Sequence, residues 1–237
     1  MSPSILAMFA VSIVVLAAAW FSRRSRFAAA ASLACWIATL CYFIPEAIAI
    51  AASRVPYNVF VQPMSALGVA ECGTISVAEY PVCSPLHDMV NWAFVLNGLT
   101  TAAAAILLHR YWPRSTKTVV ATALLVSFGL SNAATGFIPA DVNLQWHVIV
   151  ALPSMLAQIP ALILLATTSK DQPALARWTY ECVIVTTVAT ATLLAQPLTG
   201  TPFGGAAQRV MYASVWVWGI VAAFVLWRRQ LRQPAPA

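Results

Sequence analysis

Charge is what this sequence has least of: Asp, Glu, Lys and Arg make up 8% of 237 residues, against roughly 25% in a soluble globular domain. Seven acids and three histidines are its whole stock of carboxylates and imidazoles. No hydrophilic stretch is long enough for a soluble domain, so that class is excluded and no second domain is needed. No Cys-x-x-Cys pair occurs among the five cysteines, which disfavours a thiol redox enzyme or a structural zinc site. His87, His147 and nearby acids could supply zinc ligands, but neither His-x-x-x-His nor His-Glu-x-x-His spacing occurs, so no metal site is assigned and no cofactor is called for. The Gly-x-Ser-x-Gly elbow of a serine nucleophile is missing as well.

What is present is apolar. Hydrophobic residues make up 61% of the chain, in runs of the roughly 20 residues that a helix needs to cross a bilayer. The runs fall at about residues 4–22, 27–52, 88–108, 118–137, 146–167, 176–196 and 209–227, with a long connection over 53–87. They predict an all-α, polytopic membrane bundle of seven transmembrane helices forming a single domain over residues 1–237. The first run opens without a cationic region, and no small-residue cleavage site precedes its arginines, so it is read as a retained helix. Pro45 predicts a kink in the second, and Glu46 beside it must face the bundle or water. Pro153 and Pro160 predict a bend in the fifth, while the Gly and Pro density of 199–205 reads as a turn.

The net charge of +6 does not point to nucleic acid, because the cations sit in short segments between apolar runs, as juxtamembrane charge does. With the amino terminus outside and the carboxyl terminus cytoplasmic, eleven of thirteen cations are cytoplasmic: Arg23, Arg24, Arg26, Arg110, Arg114, Lys117, Lys170, Arg177, Arg228, Arg229 and Arg232. Arg54 and Arg209 alone fall outside. Five acids, Glu46, Glu71, Glu79, Asp88 and Asp141, then lie toward the outer side. Cys72 and Cys83 are the two cysteines in a connection, and that connection faces the oxidising side, so a disulfide is expected between them. Cys35, Cys41 and Cys182 lie in apolar runs, where a cysteine packs as a small residue.

Polar chemistry gathers at the outer ends of the helices. The stretch from Ser131 to His147, with Gly136, Pro139 and Asp141, joins two apolar runs, and Glu46, His87, Asp88, Asn91 and Arg209 belong to the same side. Charges near hydrocarbon are costly unless they pair or reach water, so a polar outer pocket is expected. A carboxylic acid in an apolar pocket holds its proton more tightly and can donate it. Asp141 and His147 are therefore the central acid–base candidates, with Glu46 as proton donor and Arg209 as orienter of a substrate. Ser65, Tyr57, Asn91, His87 and Asn97 are the candidate substrate contacts. Each has a plainer role beside it: Ser65 capping a turn, His147 bonding a loop carbonyl, Arg209 pairing with an acid, Asn97 and Asn132 joining helices across close glycine contacts.

Ser65-Ala-Leu-Gly68, Asn97-Gly98, Gly136-Phe-Ile-Pro139 followed by His147, and Gly204-Gly-Ala-Ala-Gln-Arg209 resemble the pattern of the domain of unknown function 998 family over about residues 35–228. The resemblance implies a multi-pass prokaryotic membrane protein, here of the bacterial inner membrane, and no settled activity. In that pattern the serine is commonly followed by Asp, where this chain has Ala66. Three functions follow in order: acid–base modification of a lipid or isoprenoid; a non-catalytic lipid-binding, signalling or assembly subunit; and a transporter, last because no inverted repeat is evident. Membrane lipids are the expected partners, with a lipophilic small molecule as substrate, and the oligomeric state is left open.

Overall fold

A computed structural model describes residues 3–74, 80–199 and 202–232. Glu79 and the 200–201 part of the expected turn lie outside them. The helices are α1 (Pro3–Ser22), α2 (Ala28–Leu40), α3 (Phe43–Ala52), α4 (His87–Leu108), α5 (Thr116–Phe137), α6 (Leu144–Leu156), α7 (Gln158–Thr168), α8 (Pro173–Thr199) and α9 (Gly204–Arg232). α2 with α3, and α6 with α7, each form one broken span, so seven spans are long and apolar enough to cross a membrane. The chain is a multi-pass helical membrane bundle.

Both breaks trace to proline. Pro45 has no N–H, and its ring crowds the carbonyl four residues back, that of Cys41. The helix accordingly stops at Leu40 and restarts at Phe43. Asn97 of α4 compensates: its Nδ2 donates to the Thr39 carbonyl at 2.8 Å, and its Oδ1 accepts from Asn132 of α5 at 3.0 Å. Pro160 acts on Leu156 in the same way, and α6 gives way to α7 at Ala157.

Two boundaries correct the sequence-based expectation. α8 continues to Thr199 instead of stopping near 196, and α9 begins at Gly204, not near 209. Gly204 and Gly205 are therefore helical residues and not turn residues. Their use is close approach: a Cβ on Gly205 would lie 2.4 Å from the Gln62 carbonyl oxygen and 2.6 Å from that of Val59. The missing side chain lets the 53–86 connection sit directly on the first turn of α9.

Packing runs in a closed ring, from α2 to α4, α5, the α6–α7 pair, α8, α9 and back to α2. α1 lies outside the ring against α4, burying only Met8 and Ala19 of its own residues. α4 and α5 touch backbone to backbone, since a Cβ on Gly98 would come 2.3 Å from the Gly129 oxygen and one on Gly129 would come 2.6 Å from the Gly98 oxygen. Small residues at such a crossing supply the van der Waals contact that holds helices together where lipid offers no hydrophobic drive. Trp36, Trp216, Trp218 and Phe128 fill the centre, fully buried.

Successive spans alternate direction, so the ends of α3, α5 and α8 meet the starts of α1, α4, α6 and α9 at one end of the bundle, called here the loop end. Among the described residues Arg54 and Arg209 are its only Lys or Arg, and the other eleven cations lie toward the opposite, cationic end. Over the loop end lies the 53–86 connection. It holds a 3-10 turn at Met64–Gly68, a two-stranded ribbon of β1 (Gly73–Thr74) and β2 (Pro81–Val82), and the Cys72–Cys83 disulfide. Ala66, Val69 and Val82 bury a small apolar cluster beneath it.

Candidate loop-end site

Arg209 stands one turn into α9, where it faces α3 and the folded-over connection. Its Nη2 lies 2.7 Å from Oε1 of Glu46 and 2.8 Å from the Tyr57 hydroxyl. Its Nη1 lies 2.8, 3.1 and 2.8 Å from the carbonyl oxygens of Val59, Gln62 and Gly205. Glu46 is buried and Arg209 partly buried, with side-chain exposures of 5% and 14%. A guanidinium suits this position because its planar fork serves several acceptors at once. The Tyr57 hydroxyl in turn donates toward the Gln62 and Pro63 carbonyls at 3.1 and 2.9 Å. Burial pushes the Tyr57 phenol up to about 12, against the opposing pull of the Arg209 charge.

Neighbouring residues tie the same segment down. Gln208 Oε1 accepts from the Met64 N–H at 2.7 Å, and the Ala206 N–H donates to the Phe60 carbonyl at 3.0 Å. Gln62 Oε1 takes the Asn58 N–H at 2.6 Å while its Nε2 donates to the Pro81 carbonyl at 3.3 Å. Residues 57–64 are thus held to the start of α9 by the Arg209 and Gln208 side chains and the Ala206 N–H.

Asp141 and His147, the central acid–base candidates, are engaged elsewhere. Asp141 is exposed, and its Oδ2 accepts from the consecutive N–H groups of Ala70 and Glu71 at 2.8 and 3.0 Å, one residue before Cys72. His147 is buried, and its Nδ1 lies 2.6 Å from the Ile138 carbonyl. That contact makes Nδ1 the protonated nitrogen and leaves Nε2 as an acceptor. Asn143 caps α6 by accepting the Trp146 N–H at 3.0 Å, so the 138–147 corner is held from within.

The remaining candidates divide. Asn91 Nδ2 donates to the Gly68 carbonyl at 2.9 Å, clamping the 3-10 turn onto α4. His87 is half-buried, with Nδ1 3.1 Å from the Ser84 carbonyl and Nε2 3.6 Å from Asp88. Asn97 sits at the α2 break, deep in the bundle and away from the loop-end cluster. Ser65 does not cap its turn: the capping position is Pro63, and the Ser65 hydroxyl makes no hydrogen bond among the described residues. Ala66 is buried in the apolar cluster with Val69 and Val82, packed against Tyr57, Tyr80 and Ala140, where this chain has no carboxylate.

Sequence reasoning missed Tyr42, Gln208 and the carbonyls that Arg209 gathers. Tyr42 lies one turn before Glu46, and its buried hydroxyl has no partner among the described residues; the same holds for the indole N–H of Trp216, whose ring centroid is 6.0 Å away. The four-residue spacing from Tyr42 to Glu46 was the signal that could have found it.

The family described as Protein of unknown function (DUF998) matches residues 36–225. The chain belongs to this family. The match spans the ring from the latter part of α2 to most of α9 and leaves out α1, the one span outside the ring. No curated protein and no solved structure matches the chain. Within the DUF998 region lie all the residues of the Glu46–Arg209–Tyr57 cluster and both ties at Asp141 and His147.

Proposed function

We propose that this DUF998 chain is a non-catalytic subunit of the bacterial cytoplasmic membrane, in which the loop-end polar residues lock a cap onto the bundle. One observation carries this: each of the three expected acid–base groups is already bonded within the protein, Glu46 to Arg209, Asp141 to two backbone N–H groups and His147 Nδ1 to a backbone carbonyl. A general acid must reach the atom it protonates, and a carboxylate held this way has to surrender a structural bond first. The amino terminus is placed outside and the carboxyl terminus inside, supported by eleven cations at the opposite end. Labelling from outside of a cysteine introduced beside Arg114 would contradict that orientation.

A second proposal, acid–base modification of a lipid or isoprenoid, has its own support in the Tyr42 hydroxyl, one turn from Glu46, and the neighbouring Trp216 N–H, both without a partner among the described residues. There a lipophilic molecule inside the bundle would take the Glu46 proton. Separate Glu46→Gln, Asp141→Asn and His147→Ala variants decide between the two. Lower folded yield in detergent with an unchanged cellular lipid profile is the outcome expected of a lock. Normal yield with an altered lipid profile sinks it in favour of catalysis.

A further inference from the structure

The cationic end carries two adjoining clefts that the loop-end cluster does not involve. One, of about 400 Å³, is lined by Arg110, Tyr111, Asp171, Arg229 and Gln230 among others. The second, of about 560 Å³, is lined by Asp171, Arg228, Arg229, Arg232 and the apolar Phe224. Arg229 and Asp171 border both, so the two form one continuous surface with four guanidinium groups and a single carboxylate.

None of the four arginines has an ion-pair partner among the described residues. Arg110 donates to the carbonyls of Arg24 and Ser25, at 2.5 and 3.3 Å, which fixes it at the rim. Topology alone requires cations at this end and does not require them to share a cleft. Two buried polar atoms on the lining point further. Among the described residues the Tyr111 hydroxyl has no partner, and Gln230, whose Nε2 donates to the Arg26 carbonyl at 3.0 Å, leaves its Oε1 unpaired. Buried polar atoms without partners are uncommon, and both of these belong to residues that line the cleft.

The complement of this surface is specific. Guanidinium groups and a phenol hydroxyl need oxygen acceptors with negative charge, while Asp171 and Gln230 Oε1 need a donor. Basic pockets between membrane helices take phospholipid head groups. Phe224 and Leu226 offer apolar wall where acyl chains begin. We infer that the two clefts form a site for the head group of an anionic glycerol phospholipid, its phosphodiester among Arg110, Arg228 and Arg229 and its glycerol hydroxyls toward Asp171 and Gln230. The site stands whether or not the loop end is catalytic.

Arg229 borders both clefts and makes no hydrogen bond or ion pair among the described residues, so Arg229→Gln removes the ligand contact without removing a structural one. Arg114, exposed at the same end and outside both clefts, gives the charge-matched control, Arg114→Gln. The full chain in neutral detergent is titrated with short-chain phosphatidylglycerol, short-chain phosphatidylcholine or inorganic phosphate, and the thermal unfolding midpoint is followed. Phosphatidylglycerol is expected to raise the midpoint at concentrations about tenfold below phosphatidylcholine; R229Q is expected to weaken its binding about tenfold and R114Q to leave it unchanged, since a charge-assisted hydrogen bond is worth about that factor. Equal potency of phosphatidylcholine overturns the inference, as does equal loss in R114Q. A shift reproduced by inorganic phosphate alone assigns the clefts to free phosphate and overturns the lipid. If R229Q proves unstable, R228Q serves in its place, with the same outcomes.

Discussion

Glu46 and Asp141 carry the same charge at the same end of the bundle and are handled in opposite ways. Glu46 is buried within the loop-end part of a membrane span, where an unpaired carboxylate is expensive, and it meets a guanidinium from a helix 163 residues away. Asp141 lies exposed in a connection and takes two backbone N–H groups of a nearby loop. The first clamps α9, α3 and residues 57–64 together; the second only steadies the approach to Cys72. Depth decides the difference: at depth a carboxylate needs a counter-charge, and at the surface hydrogen bonds and water suffice.

The largest effect should come from breaking the deep pair on one side. Arg209→Ala strands a buried carboxylate and frees two carbonyls of the cap, those of Val59 and Gln62, and should cost about 3–5 kcal/mol, read as a fall in unfolding free energy in a denaturing-detergent titration. A loss under 1 kcal/mol would mean that Glu46 reaches water and that the two carboxylates are not so different. Next comes the disulfide that closes the cap, with a sequence separation of 11. Replacing Cys72 and Cys83 by Ser should cost about 2–3 kcal/mol in the chain-entropy account. Hydrogen exchange should then quicken in the 57–74 region and stay unchanged in α4 and α5.

Asp141→Asn keeps an acceptor oxygen and loses only the charge, so the expected cost is about 1 kcal/mol. Faster amide exchange at Ala70 and Glu71, with none at Val59 or Gln62, would sharpen the contrast between the two carboxylates. The smallest signal is alkaline. The folded protein holds the Tyr57 proton up to about 12, above the roughly 10 of an unfolded tyrosine. Its contribution to stability is therefore complete below pH 10 and is lost as pH rises through about 12. Tyr57→Phe should flatten the decline of stability over that window, although Tyr80, whose phenol burial also raises, leaves part of it.

Much of the architecture was legible because hydrocarbon imposes a simple code. Apolar runs and bounding cations gave seven spans; Pro45 and Pro160 gave the breaks, while Pro153, expected to share in the second, lies inside α6; two cysteines in one connection gave the disulfide. Local chemistry misled at Gly204 and Gly205, which look like turn residues until the carbonyls of Val59 and Gln62 are seen pressing on them. The site was half legible. Glu46 had to face inward and Arg209 invited an acid, but their union is a contact between distant helices, and no periodicity encodes which acid is met. Asp141 and His147 drew attention because they are polar neighbours in sequence. Their bonds run to Ala70, Glu71 and Ile138, with neither side chain hydrogen-bonded to the other.

A double-mutant cycle on Glu46→Gln and Arg209→Ala, measured as unfolding free energy in detergent, tests the lock most directly. The buried pair predicts a coupling of about 2 kcal/mol, within the range for residues of one ion-paired network. Effects that add to within about 0.5 kcal/mol would show two independent side chains and contradict the account.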